Sequence, residues 1–132
     1  FKSSLGFYIG YHYYIDFMGK VIQARSDTEE GAHTLGGWNK KSLGICLVGN
    51  LSLQSPSEKQ LTALDSLLET LQTTYNIPSE RIYAHRELWA TECPGNNMLP
   101  WIKNYRETDI SYLQVVVNRL KSLIAELLKG RR

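Results

Sequence analysis

Apolar and polar positions along the chain change period several times. From Gly10 to Ala24, "GYHYYIDFMGKVIQA", aromatic and β-branched residues run to Phe17, Met18-Gly19-Lys20 make a turn, and Val21-Ile22 resume the apolar run. This pattern predicts a β-hairpin. Residues 42–50, "SLGICLVGN", form an almost unbroken apolar run closed by glycine and asparagine, which suits a strand buried on both faces. Between the two, "SDTEEGAHTLGGWNKK" is polar and glycine-rich, a long loop of the kind that usually carries function.

The period then lengthens. In "SPSEKQLTALDSLLETLQTTYNI", Leu61, Leu64, Leu67, Leu68 and Leu71 recur at helical spacing, while Glu58, Lys59, Asp65 and Glu69 supply a polar face. Ser55 or Ser57 caps this helix, with Pro56 just inside it. "IPSERIYAH" turns back through Pro78 into a short strand, Arg81 to Ala84, with His85 at its end, where catalytic groups commonly sit in α/β sheets. A second helical stripe runs from Asp109, a potential cap, to Leu128, through Leu113, Val116, Val117, Leu120, Leu123, Ile124 and Leu127. That stripe either docks on the domain or pairs as a coiled coil of ~2.5 heptads, marginal at such a length.

Composition narrows the picture only slightly. The chain has 132 residues, 42% of them hydrophobic, enough for one domain with a modest core. Its 15 basic and 13 acidic residues leave a net charge of +2, too little to draw it to nucleic acid. Cys46 lies in an apolar run and Cys93 in a polar loop, so two free thiols with different roles are expected. No cationic leader with an apolar core and no apolar run near ~20 residues occurs, so neither a signal peptide nor a membrane span is expected in these residues. The chain begins with Phe1 and not Met, which suggests a processed form or a fragment.

The chemistry concentrates in "AHRELWATECPG", residues 84–95. Zinc takes imidazole and thiolate ligands, and a catalytic site keeps three protein ligands with one position for water. His85 and Cys93 reach one ion if the loop between them folds over, with Pro94-Gly95 turning the chain away. Two ligands do not make a site, and an isolated histidine and cysteine are more often packing or surface groups.

The wider set of motifs is more specific. "AHRELWATECPG" resembles the histidine-to-cysteine loop of the zinc-dependent N-acetylmuramoyl-L-alanine amidases, the type 2 amidase and peptidoglycan recognition protein superfamily that includes T7-type phage lysozymes. "GYHYYID" with "MGKVIQAR" resembles the family's tyrosine-bearing strand and hairpin, "GAHTLGGWNKKSLGICLVGN" its groove loop and following strand, and "SPSEKQLTALDSLLETL" its central helix. The likeness covers about residues 5–102, in order and spacing.

The resemblance implies a ligand set and a division of roles. His85 and Cys93 correspond to zinc ligands and Tyr11 to the family's catalytic tyrosine. Thr91 stands where T7-like enzymes have a lysine and catalytic recognition proteins commonly a threonine; it donates one hydrogen bond but brings no positive charge. The family's remaining ligand is a histidine at the end of a first strand, and "FKSSLGFYIG" ahead of Tyr11 contains none. "FKSSLGFYIGYH" looks like the tail of the family's first helix, so loss of the preceding strand and helix is expected in preference to a divergent, inactive member.

Other histidines do not replace that ligand. His12 follows Tyr11 on a strand and points to the opposite face, as a core histidine with a hydrogen-bonded partner. His33, with Trp38 and Asn39 in the glycine-rich loop, is expected to line a substrate groove. Arg86 and Glu87 are given a supporting role, Trp89 either packs beneath the metal or forms groove wall, and Cys46 is a small buried residue.

The expectation is therefore an α/β domain with a central mixed sheet flanked by helices, at residues 1–107, followed by an amphipathic helix and basic tail at 108–132. By resemblance it is a Zn²⁺-dependent amidase acting on peptidoglycan at the periplasmic or extracellular face of a cell wall, in a phage or prophage endolysin. The rival is a binding module that recognises muramyl peptides without cleaving them. Self-association through the last helix is a further possibility, with no nucleic acid or membrane span implied.

Overall fold

The computed structural model describes residues 2–129, with the side chains of 109–112 outside that description. Three short strands form one mixed sheet in the order β2-β1-β3: β1 (Tyr13–Ile15), β2 (Val21–Gln23) and β3 (Ile45–Leu47). β1 and β2 are the expected hairpin, antiparallel with Ile15 opposite Val21, while β3 lies parallel to β1 with Leu47 opposite Ile15. The turn is held by Asp16, whose Oδ1 accepts the N–H groups of Met18 and Lys20, each at 2.9 Å. Gly19 is required there: its φ is +79°, and a Cβ would stand 2.6 Å from the Lys59 carbonyl oxygen.

Helix α1 (Glu58–Tyr75) covers the sheet. Of the two serines Ser57 is the cap, in a reciprocal arrangement with Gln60, so Pro56 lies ahead of the helix and not inside it. Leu64, Leu68 and Leu71 are buried, and the first two join Ile15, Leu51, Ala84, Met98 and Ile102 in the core. Gln60 is fully buried and donates its Nε2 hydrogens to the carbonyls of Ile15 (3.3 Å) and Val48 (2.9 Å), tying α1 to the end of β1 and the residue after β3. Short helix α2 (His85–Leu88) and long helix α3 (Leu99–Lys129) follow.

Several expectations change. β3 is only half-buried, because it is the edge of the sheet and a cavity borders it. The strand expected at Arg81–Ala84 is instead a 3₁₀ turn, Ser79–Arg81, and then extended backbone at Ile82 (φ −86°, ψ 109°) with no strand beside it among the described residues. An extended segment without a ladder partner is not a strand. Residues 2–12 are not the tail of a helix: Ser3 and Phe7 close a turn on each other through Ser3 N–H to Phe7 O at 2.9 Å and Phe7 N–H to Ser3 Oγ at 3.1 Å.

The last helix begins ten residues earlier than its apolar stripe suggests, at Leu99 and not Asp109. Pro100 sits in its first turn, where a missing N–H costs nothing. The cap expected from the Asp109 side chain and the basic tail at 130–132 lie outside the described residues. Trp101 and Tyr105 stack on each other (5.2 Å, 24°) and, with Ile102, pack this first part of α3 against the core. From Leu113 to Lys129 every described residue is exposed. No helix is long and apolar enough to cross a membrane among the described residues.

Candidate functional site

A cavity of about 290 Å³ opens between β3 and residues 81–85, floored by leucines of α1 and closed by Trp101 and Ile102 of α3. Tyr11, His85 and Cys93 all line it. Tyr11 enters from just ahead of β1, His85 from the start of α2, and Cys93 from the loop that follows α2.

The loop from His85 to Cys93 folds over because its own polar groups close it. Arg86 N–H donates to the Cys93 carbonyl at 3.0 Å, and the Arg86 guanidinium donates to the Glu92 carbonyl and to Asn96 Oδ1 (2.9 Å). The Cys93–Pro94 bond is cis, and Gly95 has φ +97°. A Cβ at Gly95 would lie 2.3 Å from the carbonyl carbon of Leu51, so only glycine lets the loop rest against the core. Glu87 Oε2 accepts the Ala84 N–H at 2.6 Å, and Arg106 of α3 grips the same carboxylate with Nη1 at 2.9 Å and Nη2 at 2.5 Å. The backbone immediately ahead of His85 is thus fixed from α3.

A second tier of residues surrounds Tyr11. His33 lies over it with ring centroids 5.6 Å apart at 30°, and meets His12 edge-on at 5.6 Å. His12 is buried; its Nδ1 accepts the Gly44 N–H at 3.0 Å and its Nε2 donates to the Glu29 carbonyl at 2.9 Å. That is the satisfied core histidine expected of it. His33 Nε2 is 3.2 Å from Ser42 Oγ, which itself donates to the Trp38 carbonyl, so the imidazole is the donor of that pair. Asn39 closes the same loop: Oδ1 accepts from the N–H groups of His33 (2.9 Å) and Thr34 (3.0 Å), and Nδ2 donates to Thr34 O (2.8 Å). Trp38 leans on Tyr83 at 5.7 Å, beside the cavity wall. Thr91 stands on the His85–Cys93 loop with Oγ1 accepting the Cys93 N–H at 3.2 Å, and Trp89 is exposed, so it does not pack beneath His85.

Burial sets the protonation of these groups. It pushes the Tyr11 phenol up to about 12, with the Cys93 and Cys46 thiols adding to the rise, so Tyr11 is an O–H donor near neutral pH. Burial and then the neighbouring His12 hold His33 below its ordinary 6.5, leaving it neutral. Both thiols are raised by burial, although Arg86 draws Cys93 back. Cys46 and Cys93 are free, as expected, but Cys46 is half-buried on the cavity wall and not in the core.

A family model described as N-acetylmuramoyl-L-alanine amidase matches residues 2–96. The chain belongs to this family. Similar proteins include peptidoglycan-recognition protein SC2 of Drosophila melanogaster, 38% identical over 98 residues, which are 74% of this chain and 53% of that protein. The endolysin of Enterobacteria phage K11 is 33% identical over 100 residues, 72% of this chain and 64% of that one. Among solved structures, the N-acetylmuramoyl-L-alanine amidase LysC from Clostridium intestinale superposes with a TM-score of 0.67 at 34% identity, over 72% of this chain and 62% of that one. A mutant of Drosophila PGRP-LB in complex with tracheal cytotoxin gives 0.61 at 30% identity, over 67% and 52%. The chain therefore spans about half the length of the recognition proteins it matches. These neighbours carry the expected mixed α/β fold.

The donor set can now be weighed against zinc. An imidazole and a thiol on one cavity wall are the right chemistry for that metal. They are one short in number, since no group of three histidine, cysteine, aspartate or glutamate side chains converges among the described residues. Arg86 and Glu87, expected only to support the loop, close and anchor it, and Arg106 joins them from α3. The only trace of Arg106 in the sequence is a basic residue between the Cys93 loop and the apolar stripe that follows Asp109.

Proposed function

We propose that the cavity takes the junction of N-acetylmuramic acid and L-alanine in peptidoglycan, and that a zinc-loaded form hydrolyses that amide, in the setting of a phage or prophage endolysin. The convergence of Tyr11, His85 and Cys93 on one cavity in a chain of the amidase family carries the reading. His85 and Cys93 would hold the metal, which when bound supplies the acidified water and carbonyl polarisation that amide hydrolysis needs near neutral pH. Tyr11, held protonated, donates to the oxygen of the scissile carbonyl as charge develops on it. His33 holds the phenol ring from one side, and Thr91 presents a second hydroxyl from the ligand loop. His33 and Trp38, which stand behind Tyr11 and Tyr83 and not on the cavity lining itself, would extend it into a glycan and peptide wall, with Asn39 fixing the loop that carries them.

That no third donor converges among the described residues favours a second reading, in which the chain binds muramyl peptides without cleaving them. One experiment separates the two: the release of peptides with new L-alanine amino termini from a soluble muramyl peptide, with and without added zinc, alongside binding of the same compound. Turnover that chelation abolishes is expected. His85→Ala should lose zinc and turnover together, while Tyr11→Phe should keep zinc and slow turnover by ~10²-fold, the cost of one lost oxyanion donor. Binding with no turnover at saturating zinc leaves the recognition reading, and neither binding nor turnover removes both.

A further inference from the structure

The distal half of α3 has a use that the cavity does not explain. Leu113, Val117, Leu120, Ile124 and Leu127 are spaced alternately by four and three residues, the a and d seam of a heptad. β-branched Val117 and Ile124 take the a positions, and Leu113, Leu120 and Leu127 the d positions. That assignment is the one that favours two parallel strands. Val116 and Leu123 widen the stripe at g, while the outward b, c and f positions hold Asn118, Arg119, Ser122 and Glu126 together with the apolar Val115 and Ala125.

The structure leaves this seam bare from Val117 onward, while Leu113 at its near end borders a cleft with Asp65, Glu69 and Gln72 of α1. Leu113 is 53% exposed, Leu120 53%, Ile124 56% and Leu127 71%. Together with Val116, Val117 and Leu123 they expose on the order of 700 Å² per copy, the ceiling on what pairing along this stripe buries, which sets it just below the ~800 Å² per partner of a standard interface. The nucleation cost that makes a short zipper marginal does not arise, because Leu99 to Thr108 of the same helix are already formed on the domain.

We propose that the occupant of this face is a second copy of the chain, in a parallel, in-register two-stranded coil over residues 113–127. Val117 then packs against the partner's Val117, and both cavity-bearing domains lie at the same end of the coil. The observation is independent of what the cavity binds.

Sedimentation of the full chain from roughly 1 to 100 μM should show a monomer–dimer equilibrium, the range in which micromolar pairing is read. Leu120→Asp with Ile124→Asp should give monomer mass throughout while the domain keeps its near-ultraviolet circular dichroism. Should that variant fail to fold, Val117→Cys serves: on mild oxidation it should form a disulfide between copies through the new thiols, identified by peptide mass against Cys46 and Cys93. Wild-type monomer mass across the range overturns the proposal. So does a mass above two copies, an absence of the 117–117 link in a dimer, or monomers that float with phosphatidylcholine–phosphatidylglycerol vesicles.

Discussion

Helices α1 and α3 carry the same kind of leucine-rich stripe and meet different fates. In α1 the stripe is sealed, with Leu64 and Leu68 each 5% exposed, whereas in the distal half of α3 Leu120 is 53% exposed. Helical periodicity shows that a face is apolar; it does not say whether the same domain supplies the cover. In α1 the difference is made by groups outside the stripe: Gln60 hydrogen-bonds the sheet and Ser57 Oγ donates to the Phe17 carbonyl, both fixing where the leucines land. Beyond Leu113, α3 has no such tether to the domain among the described residues, and Gln114 bonds only along the helix, to Asn118.

The comparison breaks or holds most clearly on matched truncations. Leu68→Ala should lower unfolding stability by ~2–5 kcal/mol, as expected for a buried leucine, whereas Leu120→Ala should change it by less than ~0.5 kcal/mol at concentrations where copies are separate. Urea denaturation at low protein concentration reads both, and equal costs would mean that the two stripes are equally covered. Next, Gln60→Leu should cost ~1–3 kcal/mol despite adding apolar surface in α1, because it removes a donor from the part-buried carbonyl of Val48 and one of the two donors of the buried carbonyl of Ile15. A neutral or stabilising result would show that the leucines alone dock α1.

A smaller effect than either loss in α1 belongs to the point where α3 is still docked. Arg106 holds the Glu87 carboxyl below its ordinary 4.5, so the pair stabilises the fold above that pH and its contribution is lost as pH falls through the lowered value. Because Glu87 is 40% exposed, Arg106→Gln should cost less than ~1 kcal/mol at neutral pH. The gap between variant and wild type in denaturation midpoint should narrow as the solution is acidified from about 4.5. A gap constant with pH would place the effect in packing and not in the ion pair.

What the residues disclose on their own follows the same line. The hairpin and α1 are readable because Gly19 and Ser57 punctuate them locally. The extended run at 82–84 is β-like in composition, yet a strand requires a neighbour, and the sheet order puts none beside it among the described residues. The start of α3 is hidden because Asn96, Asn97 and Pro100 are poor helix formers, while Pro100 in fact occupies the one turn that tolerates it. At the candidate site, Tyr11, His85 and Cys93 are legible only through the family resemblance of the stretches that carry them. Arg106 is not, because its partner Glu87 is 19 residues away and only the path of α3 joins them.

Helix α3 runs without interruption from the cavity to the exposed seam. Trp101 closes the one and Leu127 belongs to the other, so at ~1.5 Å per residue one stiff rod separates the two by roughly 40 Å. With the seam paired as proposed, the helix would act as a spacer of set length. Whatever is held at the far end stands at a set reach from whatever is held in the cavity, and each helical turn inserted or removed should lengthen or shorten that reach by ~5.4 Å without rotating the seam far from its heading.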